Sequence, residues 1–206
     1  MTRYGGRRAM VVGGPAPTGL AIAKRLVEGG ARVLVVAPAS EHGRLGAELG
    51  TAARIVDPAA LDALWDAEGP GPSVDWLFAA TAALARPLLP RLRPGAAVVL
   101  TAAEPSGTEP HTLATDLADL GIRVNAVVPA CIAASHEPPA PLPPLGRLGA
   151  AEEVARAALF LATDATFTTG ARLPVDGGLG RGPASLPPPP TDSPVPPLDE
   201  PWSKQP

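Results

Sequence analysis

Residues 9–36 read A-M-V-V-G-G-P-A-P-T-G-L-A-I-A-K-R-L-V-E-G-G-A-R-V-L-V-V. An apolar run ends in paired glycines and a proline-interrupted turn. After it, Gly19, Ile22, Ala23, Leu26 and Val27 fall at i, i+3, i+4, i+7 and i+8, the stripe of a helix that lies on a sheet. Gly29-Gly30 stops that helix, and a second β-branched run starts at Arg32. Strand, helix and strand in such quick succession form a parallel crossover unit, because parallel neighbours need a long connection between them.

The same alternation continues along the chain. Candidate strands are residues 9–12, 32–36, 53–56, 74–78, 96–101, 123–128 and 171–175, short and rich in valine and alanine. Leu113, Leu117 and Leu120 are spaced to line one later helix, and Val154, Ala158 and Leu161 another. Strands this apolar along their whole length are buried on both faces, which means a parallel sheet between two helical layers. Right-handed crossovers then give an α/β, doubly wound, Rossmann-like fold.

Composition sets the outer limits. With 206 residues, 46% of them apolar, the chain can bury one ample core, so one domain is the default. A net charge of -3 gives no basic footprint for nucleic acid. The single cysteine, Cys131, excludes an internal disulfide and fits a reducing compartment. No run approaches the roughly 20 apolar residues of a membrane span, and no signal-peptide pattern opens the chain. The expectation is a soluble cytoplasmic protein that binds neither nucleic acid nor membrane. Arginine outnumbers lysine 15 to 2, a bias that reflects coding composition more than physical demand.

Two stretches depart from this order. Residues 137–144, E-P-P-A-P-L-P-P, hold too many prolines for a regular helix. From Gly182 onward ten of 25 residues are proline. The expected organisation is a compact domain over 1–181 and a disordered or polyproline-like tail over 182–206. Such a tail either solubilises the chain or offers a segment to a proline-binding protein partner.

Residues 143–178 read P-P-L-G-R-L-G-A-A-E-E-V-A-R-A-A-L-F-L-A-T-D-A-T-F-T-T-G-A-R-L-P-V-D-G-G. This stretch resembles the C-terminal end of the short-chain dehydrogenase/reductase family, especially its ketoacyl-reductase-like members. Leu113-Ala114-Thr115-Asp116-Leu117 and Gly121-Ile122-Arg123-Val124-Asn125 resemble two further signatures of that family, and the likeness spans almost all of residues 6–180. It implies a nicotinamide-dependent oxidoreductase fold. Contacts to NAD(P) would then fall at Gly13, Gly14, Thr18, Gly19, Asp57 and Ile132.

The same comparison exposes departures. The family's chemistry rests on a Tyr-x-x-x-Lys pair, whereas the only tyrosine here is Tyr4 and the only lysines are Lys24 and Lys204. Counting back from Leu113 to the expected tyrosine lands inside the fifth strand. Only 17 residues lie between Phe78 and Ala96, where the family has a long helix. The resemblance thus implies shortened fourth and fifth helices and no catalytic pair. In the first loop the family's middle glycine is Pro17, which lacks an N–H and fixes φ near -65°. Losing one charge-assisted hydrogen bond there costs about 1.5 to 3 kcal/mol, which makes any NAD(P) binding weak. Ala37-Pro38-Ala39-Ser40 stands where the family discriminates NAD from NADP, and Ala79-Ala80-Thr81-Ala82 where it carries Asn-Asn-Ala-Gly.

The remaining polar residues admit two readings each. Asp57 either meets an adenine edge, as the resemblance implies, or caps a turn before Pro58. His42 and Arg44 either reach a 2'-phosphate or begin an ordinary solvated helix. Thr101 stands near the family's serine, though a β-branched residue there also suits a strand. His111 lies about 18 Å too far along its helix to replace the tyrosine. His136 falls in the proline-rich loop, and Cys131 near the nicotinamide position lacks a histidine to activate it. Asn125 and Asp176-Gly177-Gly178 read as structural ties. These residues describe an oxidoreductase-like fold that has lost hydride transfer and serves as a binding or accessory protein. The alternative is an NAD(P)-dependent enzyme with a different proton donor. Any homodimer is expected through the C-terminal helix and strand.

Overall fold

The computed structural model describes residues 2–13, 16–69, 73–102, 107–133 and 142–180. Gly14, Pro15, His136 and the expected tail over 182–206 lie outside them. Seven strands form one sheet in the order β3-β2-β1-β4-β5-β6-β7, every neighbouring pair parallel. They are β1 (Arg8–Val12), β2 (Arg32–Val36), β3 (Ala53–Val56), β4 (Val74–Ala79), β5 (Leu92–Leu100), β6 (Arg123–Pro129) and β7 (Arg172–Val175). The chain order reverses beside β1, which makes this the doubly wound sheet the alternation implies.

One face is covered by α1 (Ala16–Glu28), α2 (Ala39–Leu49) and α6 (Ala151–Thr163). Ile22, Ala23 and Leu26 of α1 and Val154, Ala155 and Ala158 of α6 are fully buried. The alanines lack bulk beyond Cβ, so the two helices lie close together against the sheet. The other face carries α3 (Leu61–Glu68), α4 (Ala82–Ala85) and α5 (Glu109–Asp116). Here α4 has four residues, continued only by a 3-10 turn over Arg86–Arg91, and α5 has eight. No helix of the described residues is long and apolar enough to cross a membrane.

Two details differ from the sequence expectation. The fifth strand starts at Leu92, not Ala96. Leu92 pairs with Val74, Ala97 pairs with Trp76, and residues 93–96 bulge out between them, with Gly95 at φ 77°. The bulge lets Arg93 reach the buried carboxylate of Asp75 at 3.2 Å, which Arg7 also meets at 3.1 Å. The Leu113, Leu117, Leu120 stripe is also shorter than expected. Leu113 and Leu117 are buried, but the chain tightens into a 3-10 turn over Ala118–Leu120 and leaves Leu120 53% exposed. A 3-10 turn advances 120° per residue and rotates the last leucine off the helical stripe.

The Arg-Val-Asn of β6 is a clasp. Arg123 donates from one guanidinium to the carbonyls of Leu161, Ala162 and Ala165, at 2.7 to 2.9 Å, and so satisfies the C-terminal end of α6. Burial lowers the pKa of that guanidinium from its ordinary value. Asn125, 1% exposed, donates to the Thr168 carbonyl at 2.8 Å and accepts from the Ala171 N–H at 3.0 Å. The start of α6 is fixed in a similar way. Glu153 accepts from the Ala150 N–H at 2.9 Å and takes a bidentate pair from Arg147 at 2.8 Å, which holds its carboxyl down at about 2.

Replacing Asn125→Ala strands a buried carbonyl and a buried N–H together, so urea unfolding should show a loss of about 2 to 4 kcal/mol. The Glu153 tie has a pH signature. Its folded pKa is depressed from 4.5 to about 2, so its stabilisation is present above the unfolded value and fades as pH falls through that window. Melting temperatures of the wild type and Glu153→Gln should therefore differ at pH 6 and converge toward about pH 2.

Candidate functional site

In an open doubly wound sheet, ligands settle outside the carboxyl ends of the strands where the winding reverses. Here that crevice lies between the ends of β1 and β4. It is tightly stitched. Ala80 N–H donates to the Val12 carbonyl at 3.0 Å, Thr101 N–H to Ala79 at 2.8 Å and Ala102 N–H to Ala80 at 3.1 Å. Gly13 follows β1 at φ 60°, a left-handed conformation that suits glycine. A Cβ at Gly13 would stand 2.4 Å from Cδ1 of Leu84. The short α4, capped by Thr81 Oγ1 on the Leu84 N–H at 3.4 Å, thus rests a leucine on the glycine loop.

Beside the crevice, between β1, β2 and the start of α1, opens a cleft of about 250 Å³ lined by Gly13, Gly19, Val36, Pro38, Glu41 and Arg44. It lies where the adenosine half of a dinucleotide is held in this fold, and its apolar walls fit that half. The polar side chains in and beside it already have partners. Arg44 Nη2 pairs with Glu41 at 2.5 Å, and His42 Nε2 turns back to the Ala37 carbonyl at 2.9 Å. Asp57 spends one carboxylate oxygen on the Ala59 N–H and the other on the Ala39 N–H, both at 2.9 Å. It caps the 3-10 turn over Pro58–Ala60 and ties it to the start of α2.

The middle of the path fits less well. Pro17 is the second residue of α1 and gives no N–H to an anion at the helix start, while Thr18 behind it is buried at 3% exposure. At the far end Ile132 forms a parallel bridge with Gly149. The Cys131 carbonyl accepts from Gly149 N–H at 2.9 Å and the Ala133 N–H donates to Gly149 at 2.7 Å. That pattern leaves the N–H and C=O of Ile132 itself pointing away from the bridge. Cys131 sits at φ 53°, a strained conformation for a residue with a side chain, costing about 1 to 3 kcal/mol. Neither the Leu84 contact nor this strain has any signal in the sequence.

The candidate proton donors are scattered. Thr101 is 2% exposed, and its hydroxyl points at the Ala79 carbonyl at 3.4 Å. Tyr4 is buried beneath the opposite, N-terminal edge of the sheet. Its N–H donates to Gly29, its ring abuts the Gly29 backbone, and it meets Trp76 edge-on with centroids 5.4 Å apart. Lys24 pairs with Glu48 across α1 and α2. His111 lies beside Gly170, in the loop entering β7, and Gly107 accepts from the Arg172 guanidinium at the start of that strand. The start of α5 therefore lies beside the beginning of β7, which the register sets level with Leu100, Ala79 and Val12 but three strands away from β4. Asp176 closes the last strand by accepting from the Gly178 and Gly180 N–H groups at 2.8 and 2.9 Å.

Comparisons agree with this architecture. A family model described as enoyl-(acyl carrier protein) reductase matches residues 110–180. L-fucose dehydrogenase of Bos taurus is 41% identical over 85 residues, covering 34% of this chain and 32% of that protein. The 3-oxoacyl-(acyl-carrier-protein) reductase of Pseudomonas aeruginosa is 42% identical over 90 residues, covering 38% and 36%. These alignments thus span about a third of the length of the curated relatives. A crystal structure described as a betaketoacyl-ACP reductase superposes with a TM-score of 0.63 at 26% identity, covering 84% of this chain and 97% of the other. A Serratia marcescens short-chain dehydrogenase/reductase superposes at 0.66 and 21% identity, covering 86% and 99%. Over its α5-to-β7 segment the chain thus matches that family model, and its fold is that of the short-chain dehydrogenase/reductases.

Proposed function

We propose that this chain keeps the family's frame without its hydride transfer, and acts as a binding or accessory protein or as a scaffold for chemistry that needs no phenolic acid. The observation that carries the reading is the place of Tyr4, the only phenol in the chain, which is buried at the opposite end of the strands from the crevice. Two further features support it. Thr101 is shut in, and Leu84 rests on Gly13 where a pyrophosphate would have to approach. General acid-base catalysis supplies about 10² to 10⁴ in rate, so its loss leaves little turnover.

The cleft beside Gly13 and Gly19 favours a second reading, in which the chain is an NAD(P)-dependent oxidoreductase that protonates its substrate through water or a loop residue. In either reading cofactor contacts would involve Gly13, Gly14, Thr18, Gly19, Asp57 and Ile132. We place the domain at 1–181 with a proline-rich segment following it, which either solubilises the chain or offers itself to a protein partner. The lone Cys131 supports a reducing, cytoplasmic setting.

Titration with NADH and NADPH separates the two readings. The unmodified protein should bind neither at micromolar levels, and Pro17→Gly should tighten binding by about tenfold by restoring one N–H donor. Steady NADPH oxidation with a panel of simple ketones, abolished by Gly13→Asp, would establish the enzymatic reading instead.

Assembly follows from what remains exposed. Phe160 on α6 is 51% exposed and Leu145 is 70% exposed, and β7 is an edge of the sheet. An open edge strand beside an apolar helix is a ready-made isologous interface. Light scattering on residues 1–181 should report a dimer that Phe160→Glu dissociates; a tetramer would mean that the short helices also associate.

A further inference from the structure

We infer that the N-terminal edge of the sheet, opposite the crevice, carries a binding site for a small aromatic carboxylate. Among the described residues, the eight-residue α3 leaves Leu34 of β2 only half-buried on its sheet face. There a cavity of about 140 Å³ opens, floored by Met10, Leu34 and Trp65 and rimmed by Arg8, Arg32 and Arg54. The register explains the grouping. Arg8 stands directly opposite Arg32, and Arg54 opposite Leu34, so all three arginines share the face of Met10 and Leu34.

Like charges directly opposite on neighbouring strands cost free energy unless an anion lies between them. Arg8 and Arg54 have interactions of their own and form the rim. Arg32 is exposed, and its guanidinium pairs with no carboxylate among the described residues. The nearby Asp75 does not serve it, because that carboxylate is held by Arg7, Arg93 and the Arg8 N–H. Arg32 therefore supplies a planar two-pronged donor at the mouth of an apolar hole. The volume decides the ligand's size, since a cavity of about 150 Å³ accepts one benzene ring. An aromatic monocarboxylate places its ring on Met10, Leu34 and Trp65 and its charge on Arg32. The site involves no residue of the dinucleotide path, so its test is independent of the proposed function.

The test is calorimetric titration of the full chain with benzoate, benzyl alcohol and inorganic phosphate, with backbone amide shifts at Ser73 and Val74 to locate the ligand. Benzoate is expected to bind with a Kd of about a millimolar, the scale for nine heavy atoms with one charge-assisted contact. Benzyl alcohol and phosphate should each bind about tenfold more weakly, one lacking the charge and the other the ring. Arg32→Gln should weaken benzoate about tenfold without shifting the melting temperature, and Arg3→Gln, at an exposed pair with Asp164, should change nothing. The inference is overturned if benzoate does not saturate or leaves the Ser73 and Val74 amides unmoved. It also fails if benzyl alcohol or phosphate matches benzoate, or if Arg32→Gln binds like the wild type.

Discussion

A parallel sheet of seven strands has two apolar faces, and both must be shut from water by helices that cross between the strands. In this chain the two faces carry that burden unequally. The α1, α2 and α6 face is complete, with Ile22, Leu26 and Val154 wholly buried. On the other face the connections after β4 and β5 are cut short, yet Met10, Leu77, Val98, Leu100 and Leu113 remain fully buried there. The fold tolerates the loss because a few helical turns close that core, and what the shortening removes is helix beside the ends of the strands. Those are the turns that would stand over the crevice.

This asymmetry separates the interactions that hold the sheet from those along the path a dinucleotide would take. Interactions that hold the sheet together are intact to the level of single atoms: Arg123 on three carbonyls, Asn125 between Thr168 and Ala171, Glu153 on Ala150 and Arg147. They lie in the segment that the family model matches. The polar groups on the dinucleotide path have turned to structural work. Asp57 caps a turn, His42 bonds a carbonyl and Arg44 pairs with Glu41. A buried or half-buried polar group must find some partner, and for Asp57 and His42 the backbone supplies it.

Tyr4 illustrates the difference between possessing a functional group and placing it. Its ring packs on Gly29 and Trp76 and helps close the lower end of the core. A phenol there contributes apolar area and an edge-to-face contact, and no proton at the crevice. Likewise the eight-residue α3 stands beside a cavity floored by Leu34 and Met10 and rimmed with guanidinium groups whose stems cover part of the apolar surface.

The sequence by itself determined the doubly wound sheet, the strand positions to within a few residues, the α1 and α6 stripes, and the absence of a Tyr-x-x-x-Lys pair. Periodicity and residue identity are local, and each apolar period of 2 or 3.6 is written in consecutive residues. Asn125 and Asp176 as ties were legible for the same reason. Only the tertiary structure decided that Leu84 rests on Gly13, that Cys131 is left-handed, that residues 93–96 bulge so Arg93 can reach Asp75, and that Leu120 turns outward. It also showed that Asp57 caps the turn before α3 and ties it to α2. Each of these depends on which distant residues the parallel register brings together, and register is fixed by the packing of the whole sheet.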